Sequence, residues 1–357
     1  MITNTIQSSL AAAGLQSQAG LMQGVTNTVE RALAAGGLVA PDHTPAGHTF
    51  EGEAREVDPG EERRQGPEGA RAAAGEFLTR SFTNQAGTRA YKLYVPAIHS
   101  AGGPEECPLV VMLHGCSQTP DDFAAGTRMN ALAQRHGFLV AWPAQAASAN
   151  KQGCWSWYSG DHQAREQGEP AILAGIASEV MSNHRVDRRR IFVAGMSAGG
   201  AMAVILGATY PELFAAVGVH SGLPYGAAHD LVSALAAMKG GKAPPSSLGV
   251  PAIVFHGDRD ATVNVRNGAA IVEQALRGGA AAPGLREAHE AGRSPDGRVY
   301  NRTVHADASG RAVVEHWVLS GAGHAWSGGS SSGSFTDAKG PDASAEMIRF
   351  FLLQPRR

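Results

Sequence analysis

Short apolar runs, each closed by turn residues, recur along this chain from about residue 89 onward. Arg89 to Val95 alternates apolar and polar positions as a half-buried strand does, whereas Cys107 to Leu113 and Gly137 to Trp142 are nearly unbroken apolar stretches. Ile172 to Met181 has helical spacing, and it precedes another apolar run, Ile191 to Met196, which leads into a helix-forming segment from Ala198 to Ala208. Phe214 to Val219, Val250 to Phe255 and Val313 to Leu319 read as further strands, with helices near Gly268 to Leu276 and Ala343 to Leu353. Buried strands alternating with helices predict the α/β class: a mostly parallel central sheet with helices on both faces. No internal repeat is visible.

The first part of the chain is different. Residues 1–36 carry a thin helical stripe, Met22, Val25, Val29 and Leu33, on a background of Ala, Gln, Asn, Thr and Gly. Residues 37–76 have linker composition, with Pro41, Pro45, Pro59 and Pro67 and the charged run Asp58 to Arg64. The reading is therefore an N-terminal helical segment at 1–36, a flexible, disordered linker at 37–76 and one catalytic domain at 77–357.

Composition narrows the partners. With a formal charge of −2, from 30 Lys and Arg against 32 Asp and Glu, the chain has no global basic field to gather nucleic acid. No apolar run approaches the roughly 18–20 residues of a membrane span. No Lys or Arg precedes Arg31, and Leu10 to Leu15 is too short for a secretory core, so a cytoplasmic location is expected. Cys107, Cys116 and Cys154 are too few for a disulfide scaffold; they leave room for one bridge, and Cys116 with Cys154 is the pair that the site reading brings closest.

Candidate chemistry centres on Gly195-Met196-Ser197-Ala198-Gly199, a Gly-x-Ser-x-Gly sequence between a strand and a helix. That context is a nucleophile elbow: the turn lifts the Ser197 hydroxyl above the sheet edge, and the two glycines remove Cβ atoms where strand and helix close on each other. Gly329-Ser330-Ser331-Ser332-Gly333 also matches, but no strand precedes it and it reads as loop. A serine hydroxyl needs a base and a group to orient that base. Asp258 and Asp260 both follow the Val250 to Phe255 strand; Asp260 is the chosen acid, because Asp258 directly after Gly257 suits a turn cap. His324, just past the Val313 to Leu319 strand, is the base, out of 14 histidines. An oxyanion hole is expected from the amides of Ala198 and Cys116, the latter in the loop His114 to Gln118, where His114 serves as a brace. Trp155, Trp157 and Trp326 are expected to line the substrate site. No Zn-type spacing, Walker loop or dinucleotide fingerprint occurs, so neither metal nor cofactor is expected.

Leu113-His114-Gly115-Cys116-Ser117-Gln118, Cys154-Trp155-Ser156-Trp157, Gly195 to Met202 and Phe335 to Ala343, taken together, resemble the polyhydroxybutyrate depolymerase family of esterases, over roughly residues 77–353. The resemblance implies the α/β-hydrolase fold, Ser197, Asp260 and His324 as a triad, Cys116 in the oxyanion loop, and ester hydrolysis through an acyl-enzyme. Substrates it implies are a hydroxyalkanoate polyester, its oligomers or a small ester. Related feruloyl and acetylxylan esterases supply an alternative, as does a non-catalytic granule-coating protein. Secreted members carry a signal peptide and a substrate-binding domain; without these patterns the chain is expected to act on intracellular polymer, oligomers or small esters. The stripe at 1–36 offers a hold on a granule surface, with a packing arm or a disordered tail as the competing readings.

Overall fold

In the computed structural model, which describes residues 75–100, 106–240, 244–278 and 284–356, the apolar runs lie side by side at the centre of one sheet. The expected helix at 1–36 and nearly all of the linker at 37–76 lie outside these residues. The strands are β1 (Glu76–Asn84), β2 (Gly87–Val95), β3 (Cys107–Leu113), β4 (Leu139–Pro143), β5 (Val186–Met196), β6 (Ala216–His220), β7 (Ala252–Gly257), β8 (Arg286–Arg293), β9 (Val299–Ala306) and β10 (Ala312–Leu319). Their order is β1-β2-β4-β3-β5-β6-β7-β10-β9-β8. From β4 through β10 every neighbouring pair is parallel. Antiparallel hairpins extend both edges, β1 with β2 on one side and β8 with β9 on the other.

Side chains along β3 alternate between two cores, as the period of two requires. Leu109, Val111 and Leu113 pack with Ile172, Leu173 and Ile176 of α3 (Gly168–Asn183), Met202 and Ile205 of α4 (Ala198–Thr209), and Ile271 of α6 (Arg266–Arg277). Val110 and Met112 face the opposite way, toward Phe123 of α1 (Pro120–Thr127), Met129 of α2 (Met129–His136) and Phe350 and Phe351 of α7 (Ala343–Leu352). Helix α5 (Leu231–Met238) follows β6 and opens on a capping box between Asp230 and Ser233. This arrangement is the α/β-hydrolase architecture. No helix among the described residues is long and apolar enough to cross a membrane.

The chain leaves β3 toward β4 and then returns across β3 to β5, on its other side. Such a reversal opens a crevice at the carboxyl ends of the two strands, where open α/β sheets bind ligands. The loop after β3 begins at His114 and the turn after β5 is Ser197, so both candidate elements meet at that point.

Candidate active site

Ser197 sits between β5 and α4 with φ 55° and ψ −121°, a conformation rare for a residue with a side chain. Holding it there costs about 1–3 kcal/mol, which the surrounding packing sustains. The glycines show how tight that packing is. A Cβ on Gly199 would lie 2.1 Å from the Leu113 carbonyl oxygen, and one on Gly195 would lie 2.4 Å from Gly199 backbone. The Ser197 amide donates to the His220 carbonyl at the end of β6, 2.9 Å away.

Asp260 and His324 form a directly bonded pair. Imidazole Nδ1–H donates to Asp260 Oδ2 at 2.7 Å, and the other carboxylate oxygen accepts the amides of Thr262 and Val263 at 2.9 and 2.8 Å. Burial pulls the carboxyl pKa upward, but the His324 bond and charge, the Val263 amide and His256 outweigh it and hold the value at about 2. Asp258 plays a different part. Its Oδ1 accepts the Gly321 amide at 2.6 Å, tying the turn after β7 to the loop that carries His324. Gly257 permits this closeness, since a Cβ there would lie 2.3 Å from the Ala322 carbonyl oxygen.

No hydrogen bond joins the Ser197 hydroxyl to His324; His220 brings their segments together. Its carbonyl takes the Ser197 amide, and its Nε2 accepts the amide of Ser327, in the loop beyond His324, at 3.0 Å. The ring lies between Phe255 and Trp326, and burial, with the neighbouring His256 and His324, pushes its pKa down to about 3. It is a neutral acceptor at any ordinary pH. Sequence reasoning missed it, and the only signal was its place at the end of an apolar strand beside the elbow.

Against Ser197 lies the loop after β3. A Cβ on Gly115 would stand 3.6 Å from the Ser197 Cβ. The Cys116 amide has no acceptor among the described residues, and that of Ala198, first in α4, precedes any intrahelical acceptor. Two unpaired N–H groups thus flank the serine, as an oxyanion hole requires. His114 braces the loop: Nδ1–H donates to the Gly115 carbonyl at 2.8 Å and Nε2 accepts the Gln145 amide at 3.1 Å. Burial lowers its pKa and so keeps it neutral. A disulfide joins Cys116 to Cys154, and the Ser117 amide donates to the Gln152 carbonyl at 2.7 Å. Behind these, buried Glu169 accepts the Ser156 amide at 2.7 Å and bonds Gln145 and Arg89, anchoring the segment 145–156. Glu169 was not singled out from the sequence.

The tryptophan expectation needs correcting. Trp155 is 0% exposed and its Nε1–H donates to the His114 carbonyl at 3.1 Å; Trp326 is 1% exposed and donates to Ser344 Oγ at 3.0 Å. Trp157, 7% exposed, packs edge-on against Tyr158. Their rings are occupied by protein, so all three build the scaffold beneath the site rather than its walls. Among the described residues no three His, Cys, Asp or Glu side chains are arranged to hold a metal ion. A cleft of about 650 Å³ lies elsewhere, over α3 and the end of α4, and its lining includes none of the residues above.

Comparison with known proteins places the chain in a family of esterases. The profile of the family described as Esterase PHB depolymerase matches residues 89–296. Over 257 residues the chain is 31% identical to the poly(3-hydroxyalkanoate) depolymerase C of Paucimonas lemoignei, covering 68% of this chain and 59% of that one. It is 33% identical over 150 residues to a probable acetylxylan esterase A of Aspergillus fumigatus, covering 42% of this chain and 38% of the other. The chain thus spans only part of the length of these relatives. Among solved structures, the acetyl xylan esterase from Aspergillus awamori superposes with a TM-score of 0.58 at 20% identity, over 79% of this chain and all of that one, which supports the fold.

Proposed function

This chain belongs to the Esterase PHB depolymerase family, and on that premise we propose that it is a serine ester hydrolase acting on hydroxyalkanoate esters, either poly(3-hydroxybutyrate) or its oligomers. One observation carries the reading: a serine held at φ 55° stands beside unpaired amides, with a 2.7 Å Asp260–His324 pair on the next loops. In this mechanism Asp260 fixes His324 with its proton on Nδ1, which leaves Nε2 free to take the Ser197 proton. Their contact closes as substrate is engaged. Ser197 Oγ attacks the ester carbonyl, the Cys116 and Ala198 amides stabilise the oxyanion, and His324 protonates the departing alkoxide. Water activated by His324 then hydrolyses the acyl-enzyme and restores the serine. No step calls on a metal or cofactor.

The identity to an acetylxylan esterase favours a second reading, in which the acyl group is acetate or an aromatic acid on a plant polysaccharide. The Cys116–Cys154 bridge supports an oxidising compartment rather than the cytoplasmic location expected from the sequence. Incubating the full chain with amorphous polyhydroxybutyrate granules, hydroxybutyrate oligomers, methyl ferulate and acetylated xylan tests these choices together. Hydroxybutyrate release is the expected result, and pelleting of protein with the granules reads granule binding. Acetate or ferulate alone moves the enzyme to the second reading, and no acid from any ester overturns the proposal.

A further inference from the structure

Behind the acid stands a second histidine that the mechanism leaves unused. His256, on β7, is fully buried. Its Nε2–H donates to the Val263 carbonyl at 2.8 Å, and the same nitrogen lies 3.6 Å from Asp260 Oδ2, the oxygen that accepts from His324. With the proton on Nε2, Nδ1 is a bare acceptor, and it has no hydrogen-bond partner. His316 Nε2, from β10, is likewise buried and unpartnered. Both nitrogens border Gly268 in the first turn of α6: a Cβ there would lie 2.9 Å from His256 Nδ1 and 3.3 Å from His316 Nε2.

A buried imidazole with one nitrogen unpaired is costly, and an apolar side chain of similar size avoids that cost. Rules of packing are broken in this way chiefly where function requires it. Here the groups that His256 serves are those of the acid turn. The titratable groups facing it are Asp260 on that turn, His220 from β6, His316 from β10 and His324 from the following loop. Burial is the main cause keeping His256 neutral.

We infer that His256 is a positioning residue for the Asp260–His324 pair. Its bond to Val263 fixes the turn whose amides hold Oδ1, and its ring packs 3.6 Å from Oδ2, leaving that oxygen to His324. The inference rests on the esterase reading of the triad.

Three variants test it. His256→Leu removes the donor, His256→Gln supplies an N–H near the same place, and Gly268→Ala presses on the ring without removing it. The measurements are kcat, KM and the pH profile on a soluble 4-nitrophenyl ester, circular dichroism for folding, and histidine-selective ¹⁵N and proton NMR of the His324 Nδ1–H. For His256→Leu we expect kcat to fall about 10–100-fold with KM little changed, because a misaligned pair loses orientation. The acid limb should move to lower pH, since a loosened Asp260 stabilises the His324 imidazolium less. The downfield His324 proton should shift upfield, Gln should restore most of each effect, and Gly268→Ala should fall between. A folded His256→Leu protein with unchanged kcat, acid limb and His324 signal overturns the inference. If the leucine variant does not fold, an unperturbed Gly268→Ala or a Gln variant as impaired as a deletion of His324 does so. Should the wild-type protein hydrolyse no ester, the esterase reading fails, while the NMR signal still decides whether His256 holds the pair.

Discussion

The serine at the centre of the site is held in a backbone conformation that its own chemistry disfavours, and the hydroxyl is the part of it that the mechanism needs. Ser197→Ala should keep the fold and lower ester turnover about 10⁴–10⁶-fold, measured as kcat on a soluble ester. The two aspartates separate cleanly. Asp260→Asn leaves the size of the side chain but spoils the imidazole's orientation and should cost about 10⁴ in kcat. Asp258→Asn loosens only the bond to the Gly321 amide and should cost less than about tenfold. Equal losses in the two would contradict the assignment. Ser197, Asp260 and His324 were singled out in the sequence because each lies within a few residues of the end of an apolar strand, and the structure puts Asp260 and His324 in direct hydrogen-bond contact. The tryptophans could not be placed, because a cluster of aromatic residues in a loop is as compatible with packing as with binding. His220 and Glu169 were silent for another reason: a buried polar residue is recognised by its partners, which come from distant segments.

At the scale of elements, the site depends on β3 and β5 meeting α4 more closely than side chains allow. Gly199→Ala places a methyl 2.1 Å from a backbone oxygen, which no rotamer relieves, and should lower stability by about 3 kcal/mol in denaturant unfolding. The oxyanion loop is not self-supporting; it is clamped to the segment 145–156 by the disulfide, the Ser117–Gln152 bond and the Trp155 indole. Cys154→Ser should therefore reduce kcat by up to about 10²–10³, the worth of one oxyanion donor. It should also lower stability by about 2–4 kcal/mol. Full reduction of the wild-type bridge with no change in kcat would show that Cys116 is held without it. The central strands were legible as apolar runs, although β6 and β7 begin two residues later than the pattern suggests. Edge strand β8 was invisible, because Arg286 to Arg293 is exposed nearly throughout and owes its shape to pairing with β9. Helices α1 and α2 escaped notice because eight residues each, broken by Arg128 at φ 56°, give little periodicity to read.

Across the whole molecule, buried histidines set the response to acid. Burial first, and neighbouring histidines second, push His220 from 6.5 to about 3 and His316 to about 4. Their folded-state values lie below the unfolded one, so their contribution is complete above pH 6.5, declines as pH falls and levels off near those lower values. Asp260, held at about 2 against 3.8, keeps its full contribution above pH 3.8 and loses it progressively as pH falls from there to about 2. Tm should thus begin to fall below pH 6.5, ahead of carboxylate protonation. A Tm that stays flat from pH 7 to about 4.5 would contradict buried neutral histidines. The central claim, that Ser197 is the nucleophile of an ester hydrolase, is tested most directly by treating intact protein with a fluorophosphonate while following ester turnover, then mapping the adduct by mass spectrometry. The account predicts one adduct, on the peptide containing Ser197, with turnover lost in proportion and no labelling of Ser197→Ala. Turnover that survives in Ser197→Ala, or a label on the Ser330 to Ser332 loop, would contradict it.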